Sequence, residues 1–349
     1  MKTGKVLSVL LVTALFTGLL GGCRFRGEKP EMGSIKIGIT LYDQYDTFVG
    51  QMMKCFNSYV AQKEEETGVA ITVEVYNAAA SQTTQNGQVE SMIGDGCDVI
   101  CVNLVDRTDP TTIIDLAESA DKPIIFFNRE LVEEDLERWN RLYYVGAKAF
   151  ESGIMQGELA ADAFLEDASA DKNGDGIFQY VVLEGEAGHQ DAIVRTEYAI
   201  STIEDQGIRV EKLGFAIANW NREQAQTKLG QLLDQFGERI ELVVANNDDM
   251  ALGAIDALEA SGMEKSSWPV IVGIDGTDVG LKAVKEGQMA GTVYNDKEGQ
   301  ALAMMNLAYE LSVDGDLSNL NLEDGKYIRL PYEKITRDEV DKFIAREEK

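Results

Sequence analysis

Ile35-Lys36-Ile37-Gly38-Ile39-Thr40-Leu41, an amphipathic stretch from Thr47 to Lys63 and a second β-branched run at Ile71–Tyr76 open the folded part of the chain. Strand, helix and strand in that order make a βαβ unit, with parallel strands and a right-handed crossover. The alternation continues with a helix near Thr83–Ile93, a strand at Val99–Asn103, a helix near Thr111–Ala120 and a strand at Ile124–Asn128. After Tyr143-Tyr144-Val145-Gly146 the pattern restarts. A helix from about Ser152 to Leu165 precedes strands at Tyr180–Leu183, Val210–Phe215, Leu242–Ala245 and Val270–Ile274. Two such series predict an α/β protein of two similar lobes, each a doubly wound parallel sheet.

In such sheets ligands bind outside the carboxyl ends of the strands. The polar residues standing there are Tyr42–Asp46, Asn103, Asn128, Gly185–Asp191, Asn246–Asp248, Asp275 and Asn295-Asp296. Each alone is an ordinary turn or cap residue. Their recurrence along one predicted rim, in both series, is the functional signal.

The N-terminus reads as an address. Lys2 and Lys5 precede a nearly unbroken apolar run, Val6–Leu20, followed by Gly21-Gly22-Cys23. A basic start, an apolar run and small residues before a cut site define a secretory signal, and the run is shorter than the ~20 residues of a spanning helix. Leu20-Gly21-Gly22-Cys23 resembles the bacterial lipobox. That resemblance implies removal of residues 1–22, acylation of Cys23, and a lipid-anchored protein on the outer face of the cell membrane or in the periplasm. Residues 23–33 are polar and aperiodic, as a tether would be.

The formal net charge is −28, and −30 without residues 1–22, whose only charged side chains are Lys2 and Lys5. So acidic a surface repels phosphate backbones, which argues against a nucleic-acid partner. It also disfavours direct adhesion to anionic lipid, leaving the lipid anchor as the one membrane attachment. Beyond Cys23 there are three cysteines, Cys55, Cys97 and Cys101, with no metal-like Cys/His spacing. They read as small buried hydrophobes; a Cys97–Cys101 bridge is the alternative.

An ordered set of motifs then adds a resemblance. Ile37–Tyr42, Asn103–Asp106, Phe126–Glu130, Tyr143–Gly146, Gly185–Asp191, Ala245–Asp248 and Gly291–Asp296, spread from about Lys36 to Tyr332, resemble the galactose/glucose-binding proteins of bacterial sugar ABC transport. These are periplasmic binding proteins of the ribose/galactose type. The resemblance implies a monomeric two-lobe clamp that captures D-galactose or D-glucose and delivers it to the membrane subunits of a transporter. Chemotaxis receptors also read members of this family. The implied sugar contacts are Asp46, Phe48, Asn103, His189, Asp191, Arg195, Trp220, Asn247, Asp275 and Asn295. Their chemistry suits a hexopyranose. Carboxylates and amides bridge hydroxyls, Arg donates a planar fork, and two aromatics cover the apolar ring faces. His189 is the single histidine of the chain, which argues against a histidine-rich metal or nucleophile site. The family carries Pro where this chain has Gln190, a change expected to loosen that loop.

The resemblance also implies three crossings between lobes, near Phe127, Asn295 and Arg329. The N-terminal lobe would be 34–127 plus 295–328, and the C-terminal lobe 128–294 plus 329–349. A second site is legible at Asp171-Lys172-Asn173-Gly174-Asp175-Gly176-Ile177-Phe178-Gln179. Oxygen ligands at positions 1, 3, 5 and 9, Gly at 6 and a backbone carbonyl at 7 match an EF-hand-type Ca²⁺ loop. Position 12 is Val182, and the resemblance implies that Glu241 completes the set, giving structural calcium held by Asp171, Asn173, Asp175, Ile177, Gln179 and Glu241. Three competing readings are a glycosidase or isomerase using Asp46, Asp191 or Asp275 with His189, a sugar-responsive repressor, and a binding protein for ribose, xylose or a signalling furanose. The first lacks a nucleophile elbow or catalytic metal triad, the second conflicts with the charge, and the third stays open though the contact set favours a hexose.

Overall fold

The computed structural model describes residues 33–347. The expected signal peptide (1–22), Cys23 and the tether up to residue 32 lie outside the described residues.

The first βαβ series runs β1 (Ile35–Leu41), α1 (Thr47–Thr67), β2 (Ile71–Asn77), α2 (Gln82–Gly94), β3 (Val99–Val102), α3 (Thr111–Ala120), β4 (Ile124–Phe127), a short α4 (Glu133–Leu136) and β5 (Leu142–Gly146). The second runs α5 (Ala149–Glu166), β6 (Ile177–Glu184), α6 (Gln190–Asp205), β7 (Arg209–Ile217), α7 (Arg222–Phe236), β8 (Leu242–Ala245), α8 (Asp248–Ser261), β9 (Val270–Val272), α9 (Asp278–Lys285) and β10 (Gly291–Asn295). The chain then returns to each lobe in turn. Helix α10 (Lys297–Ser312) packs on α1, β11 (Tyr327–Arg329) pairs with β5, β12 (Tyr332–Thr336) pairs with β10, and α11 (Val340–Glu347) packs on α9.

The strand orders are β2-β1-β3-β4-β5-β11 and β7-β6-β8-β9-β10-β12. Every pairing is parallel except that of β12 with β10. Strands β3, β4 and β8 are buried along their whole length, which is why Val99–Val102, Ile124–Phe127 and Leu242–Ala245 are continuous apolar runs: helices cover both faces of a parallel sheet. Each lobe therefore has its own double-faced core, one around Phe56, Met52 and Phe126, the other around Val181, Val243 and Phe178.

One expectation is corrected here, and one alternative is set aside. The first crossing does not fall at Phe127. Strand β5 hydrogen-bonds in parallel to β4, with Ile124 opposite Leu142 and Phe127 opposite Val145, so the chain stays in the first sheet through Gly146. The run Leu142–Gly146 is fully buried, as a central strand requires, and the second series starts after it with α5. No Cys97–Cys101 bridge exists: Cys55, Cys97 and Cys101 are free thiols, the last two buried.

The order reverses at β1 in the first sheet and at β6 in the second. Crevices open at the carboxyl ends beside such switch points. The loops there follow β1 and β3 in one lobe and β6 and β8 in the other.

Candidate functional site

A cleft enclosing about 360 Å³, part of it open to solvent, lies at the carboxyl ends of β1, β4, β6, β7, β8 and β9, lined by Tyr42, Asp46, Phe48, Asn128, Arg129, His189, Asp191, Arg195, Trp220, Asn247 and Asp275. Tyr42–Phe48 and Asn128–Arg129 come from the first lobe, the rest from the second.

Helix starts aim three of these side chains. Asp46 caps α1, its Oδ1 accepting from the Val49 amide at 2.8 Å. Its Oδ2 takes the Tyr42 hydroxyl at 2.5 Å. Asn247 caps α8 through Oδ1, which accepts from Met250 N at 2.9 Å, while its Nδ2 donates to the Trp220 carbonyl at 3.3 Å. His189 caps α6, Nδ1 accepting from Asp191 N at 3.1 Å. A ring nitrogen that accepts leaves the proton of neutral imidazole on the other one, so Nε2–H is the donor left for a ligand. Burial pushes the His189 pKa down to about 4, against the pull of Asp191, and Arg129 and Arg195 push the same way as burial.

Arg195 is buried, donates from Nη1 to the Asn246 carbonyl at 2.9 Å and lies 3.6 Å from Asp191 Oδ2. Burial opposes its charge, but Tyr332, Asp191 and Asp275 outweigh that and raise its pKa. Its Nε has no hydrogen-bond partner among the described residues. A buried, charged, unpartnered donor facing a cleft calls for an acceptor from a ligand or a water. Asp275 is buried too, and burial raises its pKa well above the usual carboxylate range in spite of Arg195.

Trp220 forms one wall. Its ring packs edge-on to His189 at 5.2 Å between centroids, and the Arg195 guanidinium lies 5.7 Å from it. Gly185 allows this placement, because a Cβ there would collide with ring atoms Cζ2, Cε2 and Cη2. Several cleft residues also have left-handed backbones: Asn128 at φ 60°, Trp220 at φ 60° and Asp275 at φ 117°. Such conformations cost on the order of 1–3 kcal/mol each and concentrate at sites where side-chain aim matters.

Side chains of the two lobes meet across the cleft. Arg129, buried, stacks on the Tyr42 ring at 3.4 Å and makes a bidentate pair with Glu186 of the second lobe at 2.9 and 3.0 Å. Thr47 Oγ1 donates to Asp249 Oδ2 at 2.6 Å.

Eight of the ten sequence-derived contacts thus share one cleft wall. Asn103 and Asn295 do not; both are buried behind it. Asn103 Nδ2 donates to the Phe127 carbonyl and to Asn128 Oδ1, each at 3.1 Å, and so props Asn128. Asn295 Oδ1 accepts from Gln300 Nε2 at 2.6 Å. Tyr42, Asn128 and Arg129 line the cleft without being among the ten. Their signal was available: each directly follows β1 or β4, where the strand-end rule looks.

In the loop 171–179 the oxygens are drawn inward. Asp171 accepts from the amides of Gly174 and Gly176 at 2.8 Å, and Asp175 Oδ1 from that of Ile177 at 2.8 Å. Glu241, buried, reaches over from the far strand to accept from Lys172 N at 2.7 Å and Gln179 N at 3.2 Å. Asp175 Oδ2 and Asn173 Nδ2 are tied to the Gln179 amide at 2.9 and 3.2 Å. Among the described residues no group of three His, Cys, Asp or Glu is arranged to hold a metal on its own.

Residues 37–316 match the model of the periplasmic binding protein domain. The D-galactose/methyl-galactoside binding periplasmic protein MglB of Haemophilus influenzae is 33% identical over 313 residues, covering 88% of this chain and 92% of that protein. A putative rhizopine-binding protein of Rhizobium meliloti is 30% identical, covering 78% and 82%. An ABC transporter solute-binding protein from Bacillus halodurans, solved with bound myo-inositol, superposes with a TM-score of 0.74 at 30% identity, over 91% of this chain and 99% of that one.

Proposed function

This chain belongs to the periplasmic binding protein family, and on that premise we propose that its cleft captures D-galactose or D-glucose for delivery to an ABC transporter. It is an exported sugar-binding component, not an enzyme. The observation that carries the choice of ligand is the cleft wall itself. The side chains of Asp46, Asp191 and Asp275, the Asn247 amide, the Arg195 guanidinium and the His189 imidazole line one cleft together with the aromatic side chains of Phe48 and Trp220. Each hydrogen bond between a hydroxyl and a charged group contributes roughly 1.5–3 kcal/mol. A pyranose spanning both lobes makes more of them when the lobes approach, so it favours the closed form.

Titration calorimetry with D-galactose, D-glucose, D-ribose, D-xylose, D-allose and myo-inositol tests the reading. Galactose or glucose should bind tightest, and a tighter pentose or cyclitol would overturn it. A cyclitol is the second reading, supported by the myo-inositol bound to the Bacillus halodurans relative.

Loop 171–179 is proposed to hold one structural Ca²⁺. Its donors are all oxygens, supplied by Asp171, Asn173, Asp175, Gln179, Glu241 and the Ile177 carbonyl, which suits a hard cation. Bound there, the ion would tie the loop to the strand carrying Glu241. Acylation at Cys23, read from the lipobox, is testable by mass spectrometry of the membrane-associated protein, and an unmodified Cys23 or a cut elsewhere refutes it.

A further inference from the structure

We propose that Thr47 and Asp249 form a clasp between the lobes that sets how tightly the cleft holds any ligand without touching the ligand. Thr47 is the first residue of α1, in the first lobe; Asp249 is the second residue of α8, in the other. The Thr47 hydroxyl donates to Asp249 Oδ2 at 2.6 Å, the short distance of a bond to a charged acceptor. Neither residue lines the cleft, yet each adjoins residues that do: Asp46 and Phe48 on one side, Asn247 on the other.

Burial, together with the negative Asp46 and Glu223, raises the Asp249 pKa, and the Thr47 hydrogen bond is the strongest pull the other way. Asp249 lies in the first turn of its own helix and at the start of α1, so two helix N-termini face one carboxylate, and both favour negative charge. The neighbouring negative groups are already engaged. Asp46 is held by Val49 N and Tyr42 OH. Arg222, the nearby cation, is committed to Asp256 by a bidentate pair at 2.6 and 2.7 Å. Thr47 is thus the partner that the Asp249 carboxylate gains by closure, and this gain is made with or without a ligand in the cleft.

The consequence follows from population arithmetic. A ligand that needs the closed form binds with an apparent dissociation constant equal to the intrinsic one divided by the closed fraction. Breaking the clasp lowers that fraction and weakens every ligand by the same factor. A wall residue instead changes the ranking of ligands.

The test rests on the sugar-binding reading for its main arm. Thr47→Val, Asp249→Ala and the double variant are titrated with each sugar that the wild type binds. Each single variant should weaken all ligands by a common factor of about ten. The double variant should be no weaker than either single one, and melting temperatures should hold. Asp249→Asn, which keeps an oxygen for the Thr47 hydroxyl, should retain most of the affinity. Unequal factors, additive losses or unchanged affinity overturn the clasp. If the wild type binds none of the sugars, the reading of the cleft has failed, and the clasp is then judged on ligand-free protein. Lobe-to-lobe spin-label distances should show a smaller closed fraction in Thr47→Val than in wild type, and identical distributions overturn it.

Discussion

Gly185→Ala turns the placement of one aromatic ring into a measurable loss of binding. Gly185 sits under Trp220, and a Cβ built on it falls against Cζ2, Cε2 and Cη2 of the indole, nearer than the 3.5 Å or so at which non-bonded carbons rest. The φ of Gly185 is not left-handed, so alanine is acceptable to the backbone and the whole conflict lies with the ring. The ring cannot rise freely. Its residue is held at φ 60°, its carbonyl accepts from Asn247 Nδ2, and His189 packs against its edge. Relief therefore means a ring displacement on the order of 1 Å, the shortfall between the built contact and the resting separation. The expected loss is roughly 1.5–4 kcal/mol in sugar binding, comparable to truncating a central anchor, with about 1–3 kcal/mol of folding stability lost to overpacking. Calorimetric titration reads the first and thermal unfolding the second. Gly185→Ala/Trp220→Ala separates them: removing the ring removes the clash, so stability should recover while binding stays weak. If Gly185→Ala binds sugar as tightly as wild type, or if the double variant regains affinity, Trp220 is not the wall of the ligand site.

Three more outcomes follow from the same geometry. Asp248 is fully buried, accepting from Thr292 Oγ1 at 2.6 Å and Thr277 N at 2.8 Å, and burial pushes its pKa up to about 7 in spite of these bonds. A carboxyl with a raised folded pKa keeps a proton the unfolded chain has lost, so its contribution to stability is complete below about pH 4 and falls as pH rises to about 7. Asp248→Asn should flatten that part of the melting profile, and an unchanged slope would assign it to other groups. His189 stays neutral until about pH 4, so the resonances of this single imidazole should show no midpoint near 6.5 in an NMR titration and should shift only at lower pH, where a proton on Nδ1 would face the Asp191 amide; a midpoint near 6.5 contradicts this. Calcium at about 100 times its dissociation constant should add ~2.7 kcal/mol to apparent stability, so chelation should lower the melting temperature by several degrees and Glu241→Gln should shrink the shift. Identical melting curves with calcium and with chelator, after verified metal removal, would remove calcium from the account.

The amino-acid sequence by itself determined the two series of parallel strands, because runs such as Val99–Val102 and Leu242–Ala245 are apolar on both faces and only a helix-covered sheet uses such runs. It also determined where to look for a site, since strand ends carry the polar residues in any such sheet. It did not determine membership of Leu142–Gly146. That apolar run could join either sheet by composition, and only its hydrogen bonds to β4 place it in the first. Nor did it separate Asn128, on the cleft wall, from Asn103, behind it and bonded to it. Both are asparagines after a buried strand, and which of them faces the cleft depends on a left-handed backbone at Asn128 and on β4 lying beside β3. The Thr47–Asp249 and Arg129–Glu186 contacts were equally out of reach. Local pattern records which face of an element is buried, but a contact between two lobes depends on their relative placement, and that is decided by the three chain crossings and the packing of whole sheets.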